Sequence, residues 1–262
     1  MTLRVTVLGG AAAWPNPGQG CSSYLVESDA AAVLLDCGPN TLATLREKID
    51  YHTVSGVVLS HWHSDHVLDL IPYRYGLVYG PGTLDAPIPL WVPRGVEQRL
   101  HALAASLIDP GDDPASFWAS AFAINEYDGA TLIRIGDLTI SLHWSQHYVP
   151  CYAMRVEQQS TGAVLAYSAD AGAIEPLVEL VRNAHLAIIE ATLDGYGDTP
   201  PAERGHLTPE SAGQLARLGG AKSLMLTHLW AERDPETVMA RSLTEFRGPT
   251  MIAERGMTVD VR

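Results

Sequence analysis

The sequence predicts an α/β fold of four layers, two β-sheets face to face with helices packed on both outer sides, an αββα sandwich. Three observations lead there. Short apolar and β-branched runs closed by turn residues recur along the whole 262-residue chain, and such runs read as strands. The first half is rich in them and poor in helical patterns, whereas the second half alternates strand with helix, so two sheets with external helices are the economical arrangement. No repeat, charge run or low-complexity linker divides the chain, so residues 1–262 read as one domain, large but within the usual range.

The strands are expected, in order, over 4–10, 23–27, 31–36, 56–60 and 89–92, then over 131–135, 138–145, 151–157, 163–168, 185–190, 222–228 and 257–261. Helical periodicity fills five intervals: 42–48, 96–107, 174–183, 209–218 and 235–246. The second starts shortly after Pro93 and Gly95, and the third follows the Ala-Gly turn at 171–172. Thr208 has the side chain of an N-cap, and Pro209 suits the first helical position because its missing N–H would be unpaired there anyway. Residues 76–89 are rich in Gly and Pro and read as a loop. Residues 109–129, polar and aromatic by turns, read as a loop with a short helix that either covers a site or is a surface excursion with some buried aromatics.

Hydrophobic residues make up 47% of the chain and charged ones 18%, which is enough apolar material for a sizeable core. Lys and Arg number 17 against 30 Asp and Glu, a formal net charge of -13. Phosphate contacts dominate nucleic-acid affinity, so this balance argues against a large polyanionic partner. It does not exclude a small phosphorylated substrate, because bound metal ions reverse the local field. Three cysteines, Cys21, Cys37 and Cys151, are odd in number and form no framework, so no disulfides and a reducing compartment are expected. The opening MTLRVTVLGG reads as a strand rather than a signal peptide, and no apolar run approaches the ~20 residues of a membrane span, so a cytoplasmic protein with no membrane partner is expected.

The chemistry concentrates in VVLSHWHSDHVLDL (57–70). A buried strand ends, and His61, His63, Asp65 and His66 follow before an apolar helical segment. Imidazole and carboxylate are the ligands that suit zinc and similar metals. A lone histidine at a strand end is more often a hydrogen-bonded surface residue. Three histidines and an aspartate within six positions are not that pattern. One such cluster cannot complete two metal spheres, so further ligands are expected at other strand ends, where His147, Asp170 and His228 stand. The glycines of 8–20 form no GxGxxG pattern opening a helix and read as a loop near the site mouth. His52, His101, His143 and His185 read as ordinary histidines.

These motifs resemble the metallo-β-lactamase superfamily, and within it the branch of RNase Z and related phosphodiesterases. HWHSDH (61–66) matches the HxHxDH signature; LLDCG (34–38), HYVPCYAMR (147–155) and AYSAD (166–170) resemble its other motifs, and IIEAT (188–192), RGHLT (204–208) and LTH (226–228) resemble its RNase Z-like end. The resemblance implies the metallo-β-lactamase fold and two divalent metal ions. Zinc is the default, and manganese or iron suit the same ligands. His61, His63 and His147 would bind one ion, Asp65, His66 and His228 the other, and Asp170 would bridge them. Asp36 would hold the ligand loop, although a strand-end turn residue is the plainer alternative. Glu190 and His206 would assist proton transfer together with Asp65, unless they are only a solvated pair near a helix start.

Metals ~3.5–4 Å apart activate a bridging water near neutral pH, and a protonated His206 could serve a leaving alkoxide. A phosphodiester fits that set. RNase Z enzymes that process transfer RNA commonly carry a protruding arm, in many of them between the third and fourth motifs, where this chain has only a turn at 158–162. The expectation is therefore a phosphodiesterase on a small-molecule or nucleotide-like substrate. The alternatives are transfer-RNA 3′-processing, hydrolysis of a carboxylic ester, thioester or lactone, and a metal-binding module without catalysis. The resemblance is also compatible with a homodimer.

Overall fold

The computed structural model describes residues 2–262. The first sheet contains β1 (Leu3–Ala11), β2 (Gly20–Cys21), β3 (Ser23–Glu27), β4 (Ala32–Leu35), β5 (Gly56–Val58), β6 (Ile88–Pro93) and β7 (Phe122–Tyr127). The second contains β8 (Leu132–Ile135), β9 (Leu138–Ser145), β10 (Cys151–Gln158), β11 (Val164–Tyr167), β12 (Leu186–Glu190), β13 (Leu224–Thr227) and β14 (Thr250–Ile252). The last strand, β15 (Thr258–Val261), returns to the first sheet. The orders are β15-β1-β3-β4-β5-β6-β7, with β2 beside β1, and β14-β13-β12-β11-β10-β9-β8. Both sheets are mixed: β4 to β7 and β11 to β14 pair in parallel, and β1–β3–β4 and β8 to β11 pair antiparallel.

The helices are α1 (Leu42–Lys48), α2 (Ser64–Val67), α3 (Leu70–Tyr79), α4 (Val96–Ala105), α5 (Pro114–Ala119), α6 (Val178–Val181), α7 (Pro209–Gly219) and α8 (Pro235–Ser242). Side-chain alternation explains the layers. In β4, Val33 and Leu35 face the core between the sheets, and Leu34 faces the core under α1, α3 and α4. In β12, Leu186 and Ile188 face inward, and Ala187 and Ile189 pack under α6 to α8. A strand buried on both faces reads as a continuous apolar run, which is why these strands are plain in the sequence. The arrangement is the expected αββα sandwich. Among the described residues no helix is long and apolar enough to cross a membrane.

Several expectations need correction. The segment 76–89 is not all loop: α3 runs through to Tyr79, with Gly76 packed against the Tyr51 ring, and β6 begins at Ile88. The segment 109–129 contains α5 and then β7, an edge strand parallel to β6, and Phe117 and Trp118 are buried in the core beneath α4. The indole N–H of Trp118 donates to Leu100 O, so these aromatics serve packing. The expected helix 174–183 is a short 3-10 turn over Glu175–Leu177 followed by α6, and the last helix stops at Ser242. The sequence reading also missed β2 and β14.

The topology places the site. Strands β11, β12 and β13 run parallel, so the segments that follow them emerge on one rim, the usual position for a ligand crevice in a parallel sheet. Backbone strain collects on that rim: Ala13, Asp36, Ala169 and His228 hold φ of 59°, 61°, 50° and 57°. Left-handed backbone costs about 1 kcal/mol or more for such residues and persists where surrounding contacts enforce it.

Candidate metal centre

Besides a group of Glu190, His206 and His228, two side-chain clusters sit on the rim. One gathers His61, His63, His147 and Asp170; the other gathers Asp65, His66, Asp170 and His228; the ligand atoms in each lie within 4.8 Å of one another. Asp170 belongs to both. Its Oδ2 is 3.6 Å from His61 Nε2 and 3.6 Å from His147 Nε2. Its Oδ1 is 3.3 Å from His66 Nε2 and 3.5 Å from His228 Nε2. In the first cluster His63 Nδ1 lies 3.1 Å from His61 Nε2 and 3.0 Å from His147 Nε2. In the second, Asp65 Oδ2 lies 3.1 Å from His228 Nε2 and 3.6 Å from His66 Nε2.

Hydrogen bonds behind the rings decide which nitrogen faces inward. His66 Nδ1 donates to Asp36 Oδ2 at 2.7 Å, and His147 Nδ1 donates to Gly205 O at 2.7 Å. His228 Nδ1 is 2.8 Å from Thr192 Oγ1, whose own hydrogen goes to acceptors, Glu190 Oε2 or His228 O. When neutral, each ring therefore carries its proton on Nδ1 and presents a lone pair at Nε2. This is the second contact that orients metal-binding histidines. His61 Nδ1 makes the corresponding contact with Ser60 Oγ at 2.9 Å.

The residues fit divalent ions. His66 Nε2 and Asp170 Oδ1 are buried 3.3 Å apart without an aligned hydrogen-bond partner, and buried polar atoms left so are costly unless something else satisfies them. Burial holds His61, His63 and His147 below the ordinary imidazole value, so converging lone pairs face one another in the first cluster. Burial also opposes a charge on His66, but Asp170 and Asp36 on its two sides outweigh it and push that ring well above its ordinary value. The second cluster thus calls for a positive charge.

Asp36 is fully buried and accepts from Ser60 N at 2.6 Å, Ser60 Oγ at 2.8 Å, His66 Nδ1 at 2.7 Å and Tyr167 OH at 2.7 Å. It ties the start of the ligand loop to His66 and to the second sheet. Glu190, also fully buried, accepts from Ala171 N at 2.7 Å, Thr192 Oγ1 at 2.7 Å and His206 Nδ1 at 2.9 Å. Of the two carboxylates expected beside His206, it is Glu190 that bonds the ring; Asp65 instead accepts from Ala13 N at 2.9 Å and faces His228 and His66. Burial lowers His206, and the Glu190 carboxylate more than offsets this, raising the ring to about 9. The His206 side chain keeps 18% exposure, whereas those of His61, His66 and His147 keep none, so His206 faces the open side of the cluster.

His52 and His143 make local contacts with Asp50 and Ser141, and His185 accepts from Val164 N. The sequence reading did not assign Ser60, Thr192, Gly205 O or Ala13 N. Of these, Thr192 and Gly205 stood inside the recognised motifs, and Ser60 stood immediately before HWHSDH.

The family profile described as the beta-lactamase superfamily domain matches residues 31–229. An uncharacterized protein of Mycobacterium leprae is 31% identical over 100% of this chain and 90% of its own length. The Bacillus subtilis protein named "Probable metallo-hydrolase YhfI" is 27% identical over 97% of this chain and 98% of its own. Its crystal structure, described as a metallo-beta-lactamase fold protein, superposes with a TM-score of 0.84 at 26% identity over 99% of both chains. A ribonuclease Z of Myxococcus xanthus is 25% identical over 99% of this chain and 98% of its own.

Proposed function

Since the chain belongs to the β-lactamase superfamily and has its metallo-β-lactamase fold, with buried His/Asp clusters that suit the metal site of such hydrolases, we propose that it is a binuclear phosphodiesterase acting on a small or nucleotide-like phosphodiester. The observation that carries this reading is the placement of His206. Its Nδ1 donates to the buried Glu190 at 2.9 Å, and its ring stands 5.0 Å from that of His147 and 5.5 Å from that of His228. An alkoxide leaving group needs a proton, and an imidazolium held beside the reacting centre is the group to deliver it.

His61, His63 and His147 would hold one ion, Asp65, His66 and His228 the other, and Asp170 would serve both. Such ions supply Lewis acidity, neutralising charge on phosphoryl oxygens and acidifying a water. Glu190 fixes His206 with its proton on Nδ1 and stabilises the charged ring, so the second ring nitrogen can donate to the leaving oxygen. Glu190 also braces the Ala171 and Thr192 backbones, which lie next to Asp170 and behind His228. Gly172 approaches Arg204 so closely that a Cβ would stand 1.7 Å from its carbonyl oxygen, and this contact sets the loop that carries Gly205 and His206.

The similarity to ribonuclease Z favours transfer-RNA processing as a second reading. The link between β10 and β11 is a tight turn over 159–163, and the acidic chain offers little to hold an RNA backbone, so the smaller substrate is preferred. Turnover of bis(p-nitrophenyl) phosphate beside p-nitrophenyl acetate and a lactone, on protein of known metal content, tests the proposal. Preference for the diester is expected. Preference for the carboxylic substrates would overturn the phosphodiesterase assignment.

A further inference from the structure

We propose that Trp14 and Trp230 form a stacking platform for a planar base, so that the substrate is a phosphodiester carrying a nucleoside; this rests on the phosphodiesterase reading. The two indoles come from opposite ends of the chain and lie nearly parallel, with ring centroids 5.7 Å apart and planes within 10°. Both are tied to the second metal cluster by short spans of chain. Ala13, the neighbour of Trp14, donates its N–H to Asp65 Oδ2 at 2.9 Å, and Trp230 lies two residues after His228.

The backbone just before each tryptophan is strained. Ala13 and His228 hold φ of 59° and 57° although neither is glycine, and strain of this kind collects where a site needs a set geometry. Trp14 nevertheless leaves 52% of its surface in solvent. An aromatic ring left open to solvent offers a flat face on which a base can stack. Trp230, without Trp14 or any of the metal-cluster side chains, also lines an adjoining cavity of about 530 Å³ with Leu229, Met239 and Met251, a volume within the range of small-molecule sites. Its indole nitrogen is enclosed and makes no hydrogen bond. Flat ring faces accept any base, and stacking on an aromatic side chain changes affinity by about tenfold or more.

The test compares wild type, Trp14→Ala and Trp14→Phe on thymidine 5′-(p-nitrophenyl phosphate) and methyl p-nitrophenyl phosphate, which share a leaving group and differ in the nucleoside. The wild-type KM should be about tenfold lower for the nucleoside diester. That ratio should fall toward one in Trp14→Ala and largely survive in Trp14→Phe. A ratio unchanged in Trp14→Ala overturns the platform. Calorimetric titration with adenosine monophosphate reads the same contact without turnover and should weaken about tenfold in Trp14→Ala. If neither diester is cleaved and the nucleotide still binds more weakly to Trp14→Ala, the phosphodiesterase reading falls and the platform stands. Equal nucleotide binding by all three proteins overturns the platform whatever the activity.

Discussion

Glu190 Oε1 accepts from His206 Nδ1 at 2.9 Å, and through this bond a fully buried carboxylate governs a partly exposed histidine beside the cluster. His206→Ala should therefore keep its metal content and lose turnover by about 10²–10⁴-fold, the range for a positioned acid or base. The loss should be greater for an alkyl leaving group than for p-nitrophenolate, which departs without a proton. Equal losses on both kinds of diester would show that His206 is not the proton donor.

His63 faces both His61 and His147 and is half-buried. His63→Ala should lower bound metal, measured by elemental analysis, and lose activity in parallel. Chelation of the wild-type protein should do the same and lower its Tm, because an ion at 100 times its Kd adds about 2.7 kcal/mol to stability. Full metal content in His63→Ala would remove that residue from the ligand set.

Asp36 separates support from ligation. Asn tolerates the left-handed backbone found there, so Asp36→Asn removes the charge with little added strain. The buried carboxylate accepts four hydrogen bonds, and the change should cost about 2–3 kcal/mol in a denaturant titration. It should also weaken metal binding about 10–100-fold by loosening His66. Wild-type stability and affinity would reduce Asp36 to a turn residue.

Gly38 is held for space. A Cβ there would stand 2.1 Å from Asp65 O and 2.9 Å from Ser22 O, both backbone atoms that cannot swing aside. Gly38→Ala should destabilise by about 1–3 kcal/mol, as overpacking does, and displace the loop that carries Asp65. Unchanged thermal stability and metal content would contradict this.

All three thiols are buried. Burial, reinforced by Asp65 and Asp69, pushes Cys21 up to about 12, and burial drives Cys37 and Cys151 well above the ordinary thiol value. The thiolate is the reactive form, so the folded protein should resist a disulfide reagent at pH 8 and release three equivalents only on unfolding. Rapid labelling of the native protein would contradict the packing around them.

The core of the site was legible because its ligands either crowd together or end apolar strands. His61, His63, Asp65 and His66 lie within six positions, Asp170 and His228 follow fully buried strands, and His147 follows the half-buried β9. The atoms that hold those ligands were less legible. Gly205 O and Ala13 N are backbone groups that every sequence offers. The Trp14–Trp230 pair was hidden for another reason: only the approach of the β1 and β13 ends, seen in the bridge between Ala11 and Leu229, brings the rings together. In the fold, strands buried on both faces were plain. The edge strands β7 and β14 were not, because half-buried residues in both blur the alternation, and α3 continues through Gly76 despite its loop signal.

The most direct test of the central claim is a metal titration followed by activity. Chelator-treated protein would receive zinc or manganese in steps while bis(p-nitrophenyl) phosphate hydrolysis and bound metal are measured together. The account predicts activity that rises with occupancy and levels off at about two ions per chain, as a two-metal site requires. Full diesterase activity in metal-free protein, or two bound ions with no turnover of any phosphodiester, would contradict it.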